Sequence, residues 1–397
     1  MKRSMAETDN AVIRTAYVSP TERGAHSAIG LREFADPVTA DEISLSFFEC
    51  EVPEFVAPEL ERLYQSIYST MARIRIYEEN KALSTYVARR GETVISVILF
   101  RLEKSKIIVI NQQATIDAVE ISRFSSAVFL RYKNVNFISF WGLMPIQGKI
   151  SFFSNQNYCL SDVVVTLPES TDAYLSSLGK STRRHIRSSL KKITAAFPSF
   201  CALTRVKSEI SAPEIFEIIK LSNARMAVKE KVSYNSDEET QRLIRLANVY
   251  GLVLTLKIDD RICAGALCYR VGSTYFAQVL AHDPKYDEYK LGVVCCYLMI
   301  CECIARGGRE VRFGGSTHRY KFDFQGVLLR LDYLIIYRNV GHYILHAASV
   351  LPMSFEAYLR RIKLWLLLAE RREDFISRIA ARSINWVREF KRSGNAP

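Results

Sequence analysis

Apolar positions along this chain switch repeatedly between helical and strand spacing. From Asp41 a first unit begins. Pro58 opens a predicted helix with Leu60, Leu63, Tyr64, Ile67 and Met71 on one face. Alternating or continuous apolar runs predict strands at Leu83–Arg89, Thr93–Leu102 and Lys106–Asn111, with Gly91-Glu92 turning the first into the second. Thr115–Arg131 reads as a helix, and Val135–Trp141 and Ser161–Leu167 as strands. A basic helical pair follows. Thr171–Leu178 ends at Gly179 as C′ residue, and Ser181 caps a helix that runs to about Ala196.

A second unit repeats the order. Phe200–Val206 is a predicted strand, and Ser211 and Ser236 each open a capping box (Ser-x-x-Glu) at the head of a helix. Three meander strands come next: Leu252–Ile258, Ile262–Val271 and Thr274–Ala281, joined by Asp259-Asp260 and Gly272-Ser273. Gly292 then starts an apolar helix that Gly307-Gly308 closes, and strands Glu310–Phe313 and Val327–Arg338 finish the sheet. Both units contain a helix, three meander strands, a helix and a strand, which reads as a tandem duplication. The fold class expected is α+β with a mixed sheet. The organisation is a flexible leader (1–41), a first domain (42–170), a basic connector (171–198), a second domain (199–340) and a basic amphipathic helical tail (341–397).

Composition adds charge to this picture. The 397 residues carry 54 Lys and Arg against 42 Asp and Glu, a formal net charge of +12. That excess fits an anionic partner, or simply a soluble basic protein. Lys180, Arg183, Arg184, His185, Arg187, Lys191 and Lys192 crowd the connector helix, as a solvated face or as an anion-binding wall. Basic faces on the tail fit helices docked on the domain, or an interfacial helix on an anionic membrane surface. Nine cysteines in mostly apolar runs, with no apolar segment in residues 1–41, point to a reducing cytoplasm. Cys301 and Cys303 lie about 200° apart on a helix and cannot chelate together. His342 and His346 have helical metal spacing but no third ligand nearby, so no metal is expected.

The candidate chemistry gathers between Thr274 and Gly326. A strand, a loop and an uncapped helix start at Lys290-Leu291-Gly292-Val293 would hold an anion on free backbone N–H groups. Beyond the next strand lie His318, Tyr320 and Lys321. His318, His282 and Asp283 are base candidates. Tyr320 either donates a proton or packs. Lys321 either neutralises charge or sits in an exposed turn, with Asp323 to orient it.

The element order, together with YLSSLGKSTRRHIRSSLKKI, KIDDRICAGALCYRVGSTYFAQVLAHDPKYDEYKLG and GGREVRFGGSTHRYKFDFQG, resembles the GNAT N-acyltransferase fold. The likeness covers roughly Asp41 to Arg338. It is similar to the double-GNAT acetyltransferases associated with cellulose and exopolysaccharide biosynthesis, and also to the Fem-type aminoacyl transferases. The resemblance implies an acyl-CoA co-substrate, its pantetheine arm along Thr274–Ala281 (Ala277 and Val279 in particular) and its pyrophosphate on Lys290–Val293. Tyr320 and Lys321 match the Tyr-Lys of those families, and His318 and Asp283, near the expected cleft, complete the candidate catalytic set. The usual loop pattern, Gln/Arg-x-x-Gly-x-Gly/Ala, is reduced here to Gly292 within Asp287–Gly292, which leaves an aminoacyl-tRNA donor open. Three readings follow. The first is acyl transfer, with acetyl the expected group, to an amine on a small molecule, sugar or cell-envelope precursor. The second is Fem-type transfer from aminoacyl-tRNA. The third is an inactive scaffold at a membrane-associated complex. The site is expected in the cytoplasm or at the inner face of the membrane.

Overall fold

The structure is a computed structural model that describes residues 43–78, 81–228, 236–315, 318–345 and position 362. The leader at 1–41 and nearly all of the tail lie outside the described residues. In chain order the first half contains β1 (Ile43–Phe48), α1 (Val56–Tyr64), α2 (Met71–Tyr77), β2 (Ser84–Arg90), β3 (Thr93–Glu103), β4 (Lys106–Val109), α3 (Ala118–Arg131), β5 (Phe137–Leu143) and β6 (Ser154–Thr166). Next come α4 (Thr171–Ser177), α5 (Lys180–Ala196), β7 (Cys201–Val206), α6 (Ala212–Val228), α7 (Asp237–Tyr250), β8 (Gly251–Ile258), β9 (Arg261–Val271) and β10 (Thr274–His282). The chain continues through α8 (Leu291–Ala305), β11 (Glu310–Arg312), α9 (Arg319–Asp323) and β12 (Val327–Tyr337).

Among the described residues, twelve strands form one mixed sheet, in the order β1-β2-β3-β4-β5-β12-β6-β11-β10-β9-β8-β7. Only β4–β5 and β10–β11 pair in parallel; the remaining ladders are antiparallel. The duplicated order is therefore real in space, with a twist. Strand β12, expected to close the second unit, lies beside β5 of the first. Strand β6, from the first half, lies beside β11 of the second. Helices α3, α4, α5 and α8 cover one face, and α1, α2, α6 and α7 the other.

Local sequence explains most boundaries. Asp117 and Ser236 accept the N–H of the residue three positions on, at the starts of α3 and α7. Only half of the Ser236 box forms: the Glu239 carboxylate takes the Tyr77 hydroxyl at 2.6 Å instead of turning back to the cap. Two expectations change. The single helix from Pro58 breaks after Tyr64, where Gln65 adopts a left-handed conformation, and Thr70 caps a separate α2. Gly179 does not end a helix; it is the N-cap of α5, with φ −54° and ψ 145°. Strand β1 was not anticipated, and β6 begins seven residues earlier than its apolar run suggests. Its polar start, Ser154-Asn-Gln-Asn157, pairs with β12.

Candidate active site

Strands β10 and β11 touch only briefly. Thr274–Phe276 pair with Glu310–Arg312, and there the ladder stops. The N–H of Phe313 turns to the Val163 carbonyl at 2.9 Å, and that of Gly314 to the Asp162 carboxylate at 2.8 Å. Gly314 has φ +71°, a conformation that costs glycine little. The chain thus peels away, and β10 runs on alone along that edge from Ala277.

A bulge at Gln278 re-aims this free stretch. Ala277 pairs with Cys268, but Val279 pairs with Leu267, so Gln278 is the inserted residue. Before the bulge Tyr275 and Ala277 pack on the α8 face; after it Leu280 does, while Val279 and Ala281 pack on the α6 face. Ala277 and Val279, both expected along the acyl arm, therefore point their side chains to opposite faces, and only their backbone lies along one edge.

The strand leads into the start of α8. Asp283 accepts from the Lys285 N–H at 3.0 Å and donates its own N–H to the Cys263 carbonyl, so it caps the turn Pro284–Tyr289. That role occupies the carboxylate sequence reading offered as a base, and Asp283 does not line the cavity. Lys290 follows in a left-handed conformation, φ 51°. Its carbonyl takes the N–H groups of Val293 and Val294, and no side chain caps the helix. The Leu291 and Gly292 N–H groups have no acceptor among the described residues, which leaves them to an outside anion. Gly292 is required by close approach: a Cβ there would lie 2.6 Å from the His282 ring. His282 in turn pairs through Nε2 with Asp287 at 2.8 Å.

A cavity of about 220 Å³ opens here, lined by Arg225, Leu280, His282, Lys290, Gly292, Val293 and Tyr320. It brings together five of the expected site residues: His282, Lys290, Gly292, Val293 and Tyr320. Leu291 contributes only backbone, its side chain being fully buried. Tyr320 projects from α9, and burial keeps its hydroxyl protonated well above the usual phenol range. His318 is exposed outside the cavity, its ring stacked on Tyr320 with centroids 6.2 Å apart.

Lys321 is not an exposed turn residue. It is 2% exposed, and Nζ donates to the Phe313 and Gly314 carbonyls at 2.6 and 3.1 Å. Burial lowers its pKa to about 8, against the pull of Asp162. Asp162 is raised by burial, an effect Arg312 and the Val163 and Gly314 N–H groups oppose. The carboxylate beside Lys321 is thus Asp162 of β6, not Asp323, which is exposed. Asp162 holds the Gly314 N–H and Lys321 its carbonyl, so the two fix the point where β11 leaves β10. Sequence reading missed Asp162 and Arg225. Neither carries a local motif; only the sheet order and the end of α6 bring them here.

The corresponding place in the first half is closed. Asp117 caps α3, and the Ala118 N–H donates to the Gln147 carbonyl. Beyond the short β4–β5 pairing the chain is cross-linked by Gln113 N–H to Gly142 and Met144 N–H to Ala114. A negative carboxylate occupies the helix end that an anion would need. No group of His, Cys, Asp or Glu among the described residues could hold a metal ion, and His346 lies outside them.

Residues 180–322 match the family model described as the Acetyltransferase (GNAT) domain. Among solved structures, the chain is similar to FemX at 10% identity, over 75% of this chain and 99% of that one, with a TM-score of 0.56. It also matches the C-terminal domain of a putative lysylphosphatidylglycerol synthetase from Agrobacterium fabrum (12% identity; 74% and 95% covered; TM-score 0.43). A tandem GNAT protein from the clavulanic acid biosynthesis pathway matches at 9% identity, over 74% and 98%, with a TM-score of 0.35. No curated protein matches by sequence. At this identity the FemX likeness speaks for the fold alone, and it spans both halves of the sheet. The uncapped helix beside two parting strands lies inside residues 180–322, the segment that matches the Acetyltransferase (GNAT) domain.

Proposed function

We propose that the protein transfers an acyl group from a phosphate-bearing donor to an amine, by direct attack in a ternary complex. The observation that carries this reading is the start of α8: two open N–H groups, flanked by Lys290 and Arg225, beside the gap between β10 and β11. The cavity is smaller than the roughly 300–1,000 Å³ of pockets that enclose a whole ligand. It suits the phosphate end of a donor whose acyl arm lies along the free edge of β10. The donor is acyl-CoA, with acetyl-CoA the first to test.

Acyl transfer forms a C–N bond and breaks the donor's C–S bond. A backbone N–H on the free edge of β10 would receive the carbonyl oxyanion. Tyr320, protonated and in the cavity wall, supplies the proton that the departing thiolate takes up. The His282–Asp287 pair lies at the phosphate end, against Gly292, so the proton the amine loses would leave through water. Lys321 does not touch the donor; with Asp162 it holds the gap open.

The acceptor approaches across the other face. There Arg73 lies over the rings of Tyr68 and Tyr77 at 4.6 and 4.4 Å, and Arg312 lies over Phe276 at 5.7 Å. A cationic, aromatic wall of this kind suits an amine on a sugar or on an anionic cell-envelope precursor. Work at the cytoplasmic side of a membrane, including exopolysaccharide assembly, fits that acceptor class.

A second reading, transfer from aminoacyl-tRNA, is favoured by α5. Lys180, Arg184, Arg187, Lys191 and Lys192 are exposed and form no ion pair among the described residues. Calorimetry of the full chain with acetyl-CoA, then with charged tRNA, separates the readings. Saturable acetyl-CoA binding supports the first, and binding of charged tRNA alone the second. Binding of neither leaves the scaffold reading.

A further inference from the structure

A larger cavity, about 590 Å³, lies at the opposite end of β10, beneath the β9–β10 turn. Nothing in the reaction described above uses it. From Tyr275 to His282 is seven residues, about 23 Å at roughly 3.3 Å per residue. The turn itself is pinned to the first half of the chain: Ser273 donates through N–H and hydroxyl to Gln65 Oε1, at 3.3 and 3.1 Å.

The wall combines apolar surface with converging charge. Lys207, Arg270 and Arg306 line it together with Glu61. Arg306 is paired with Glu302, and Glu61 is held by the Tyr250 hydroxyl. Three cations against those two carboxylates leave one positive charge uncompensated. Lys207 and Arg270 form no ion pair among the described residues. Arg270 instead donates through Nε to the Gly272 carbonyl at 3.0 Å, keeps its terminal N–H groups for an acceptor, and lies over the Tyr275 ring, 5.6 Å from its centre. Tyr275 is fully buried, lines the cavity, and its hydroxyl has no hydrogen-bond partner among the described residues. Buried hydroxyls nearly always have one. An acceptor atom entering between Arg270 and Tyr275 would satisfy both, and Val206, Val249 and the Tyr250 ring would receive an apolar body.

We propose that this cavity is a second binding site, for a small organic anion that carries an apolar ring or chain. A carboxylate or phosphate monoester would sit at Arg270, Lys207 and the Tyr275 hydroxyl, with the apolar part against the valines.

Phenyl phosphate serves as the probe, titrated calorimetrically into the full-length protein with inorganic phosphate in parallel. The expected result is saturable one-site binding of phenyl phosphate, at least tenfold tighter than that of inorganic phosphate. Arg270→Gln should weaken it at least tenfold. Tyr275→Phe keeps the ring and removes only the hydroxyl. It should weaken the probe several-fold while leaving the thermal midpoint of the ligand-free protein unchanged or higher, because no existing hydrogen bond is lost. Arg225→Gln, in the other cavity, should leave the affinity unchanged. The proposal is overturned if phenyl phosphate shows no saturable binding. It is also overturned if neither the Arg270 nor the Tyr275 variant changes the affinity, or if Arg225→Gln removes the binding and so places the probe at α8.

Discussion

Two neighbours on α9 do opposite jobs. Tyr320 faces the cavity at the start of α8, and Lys321 faces the protein. Replacing Tyr320 by Phe removes the hydroxyl proposed as proton donor and keeps the ring that packs on Phe313. We expect kcat to fall on the order of 10²-fold, within the range for general acid catalysis, with donor KM and thermal midpoint nearly unchanged. Steady-state kinetics with both substrates varied would check this. Lys321→Met leaves the Phe313 and Gly314 carbonyls without their donor, at about 1–3 kcal/mol for each unsatisfied buried group. The pH dependence is a sharper test. The folded pKa of about 8 lies below the ordinary lysine value, because burial opposes the charge. Below pH 8 the folded state carries the full cost of a buried ammonium. Between about 8 and 10.5 the unfolded chain binds more protons than the folded one, so this residue's contribution to stability rises with pH. A shift of this size is worth on the order of 3 kcal/mol. Buried thiols such as Cys295, whose pKa burial raises, contribute the opposite slope at high pH. The measurement is therefore the difference between wild type and Lys321→Met in denaturant midpoints from pH 7 to 10. A flat difference would contradict this placement of the charge.

At the scale of elements, two helix starts occupy equivalent positions and differ in one respect. Helix α3 begins with an Asp117 carboxylate on its N–H groups, and α8 begins with none. Asp117→Ala should cost about 1 kcal/mol as a lost cap and leave donor affinity unchanged. Gly292→Ala puts a methyl against His282 and should weaken the donor at least tenfold while the fold persists; calorimetry and thermal melts on both variants would show it. Much at this scale was legible in sequence. Meander strands β8 to β10 alternate or run apolar between turn residues, and Ser236 marks the start of α7. The uncapped start of α8 was legible because Gly292 follows a strand and precedes an apolar run. Less legible was whatever depends on distant partners. Ser154–Asn157 is strand only because β12 lies beside it. The bulge at Gln278 is set by the register against β9, which no local pattern records. Lys321 reads as either a site cation or an exposed turn residue until Phe313 and Gly314 turn two carbonyls toward it.

The whole molecule is held by an exchange of strands. Each half contributes five strands in sequence and then gives its sixth to the other: β6 sits between β12 and β11, and β12 between β5 and β6. The β6–β12 ladder covers ten paired positions, so the last strands of the two halves bind each other as well. Asp162 belongs to this arrangement, since a residue of the first half could not otherwise hold the Gly314 N–H of the second. The cavity at the start of α8 therefore depends on both halves, although every residue lining it comes from the second. Separating the chain at 170/171 tests the idea. The fragment 171–397 lacks β6, and with it Val163 and Val165, which are fully buried in the core beneath α5 and α8. Those two side chains alone stabilise by about 3–6 kcal/mol. A typical domain has about 5–15 kcal/mol in total. The fragment also leaves β11 and β12 without the strand that joins them. The complementary fragment 1–170 carries β6 with neither neighbour and an open edge on β5, an aggregation-prone state. We expect each fragment alone to be insoluble or to melt without cooperativity, and co-expression to restore a soluble complex with a single thermal transition. A cooperative, donor-binding 171–397 fragment would show that the second half is autonomous, and that Asp162 and β6 are dispensable to the site.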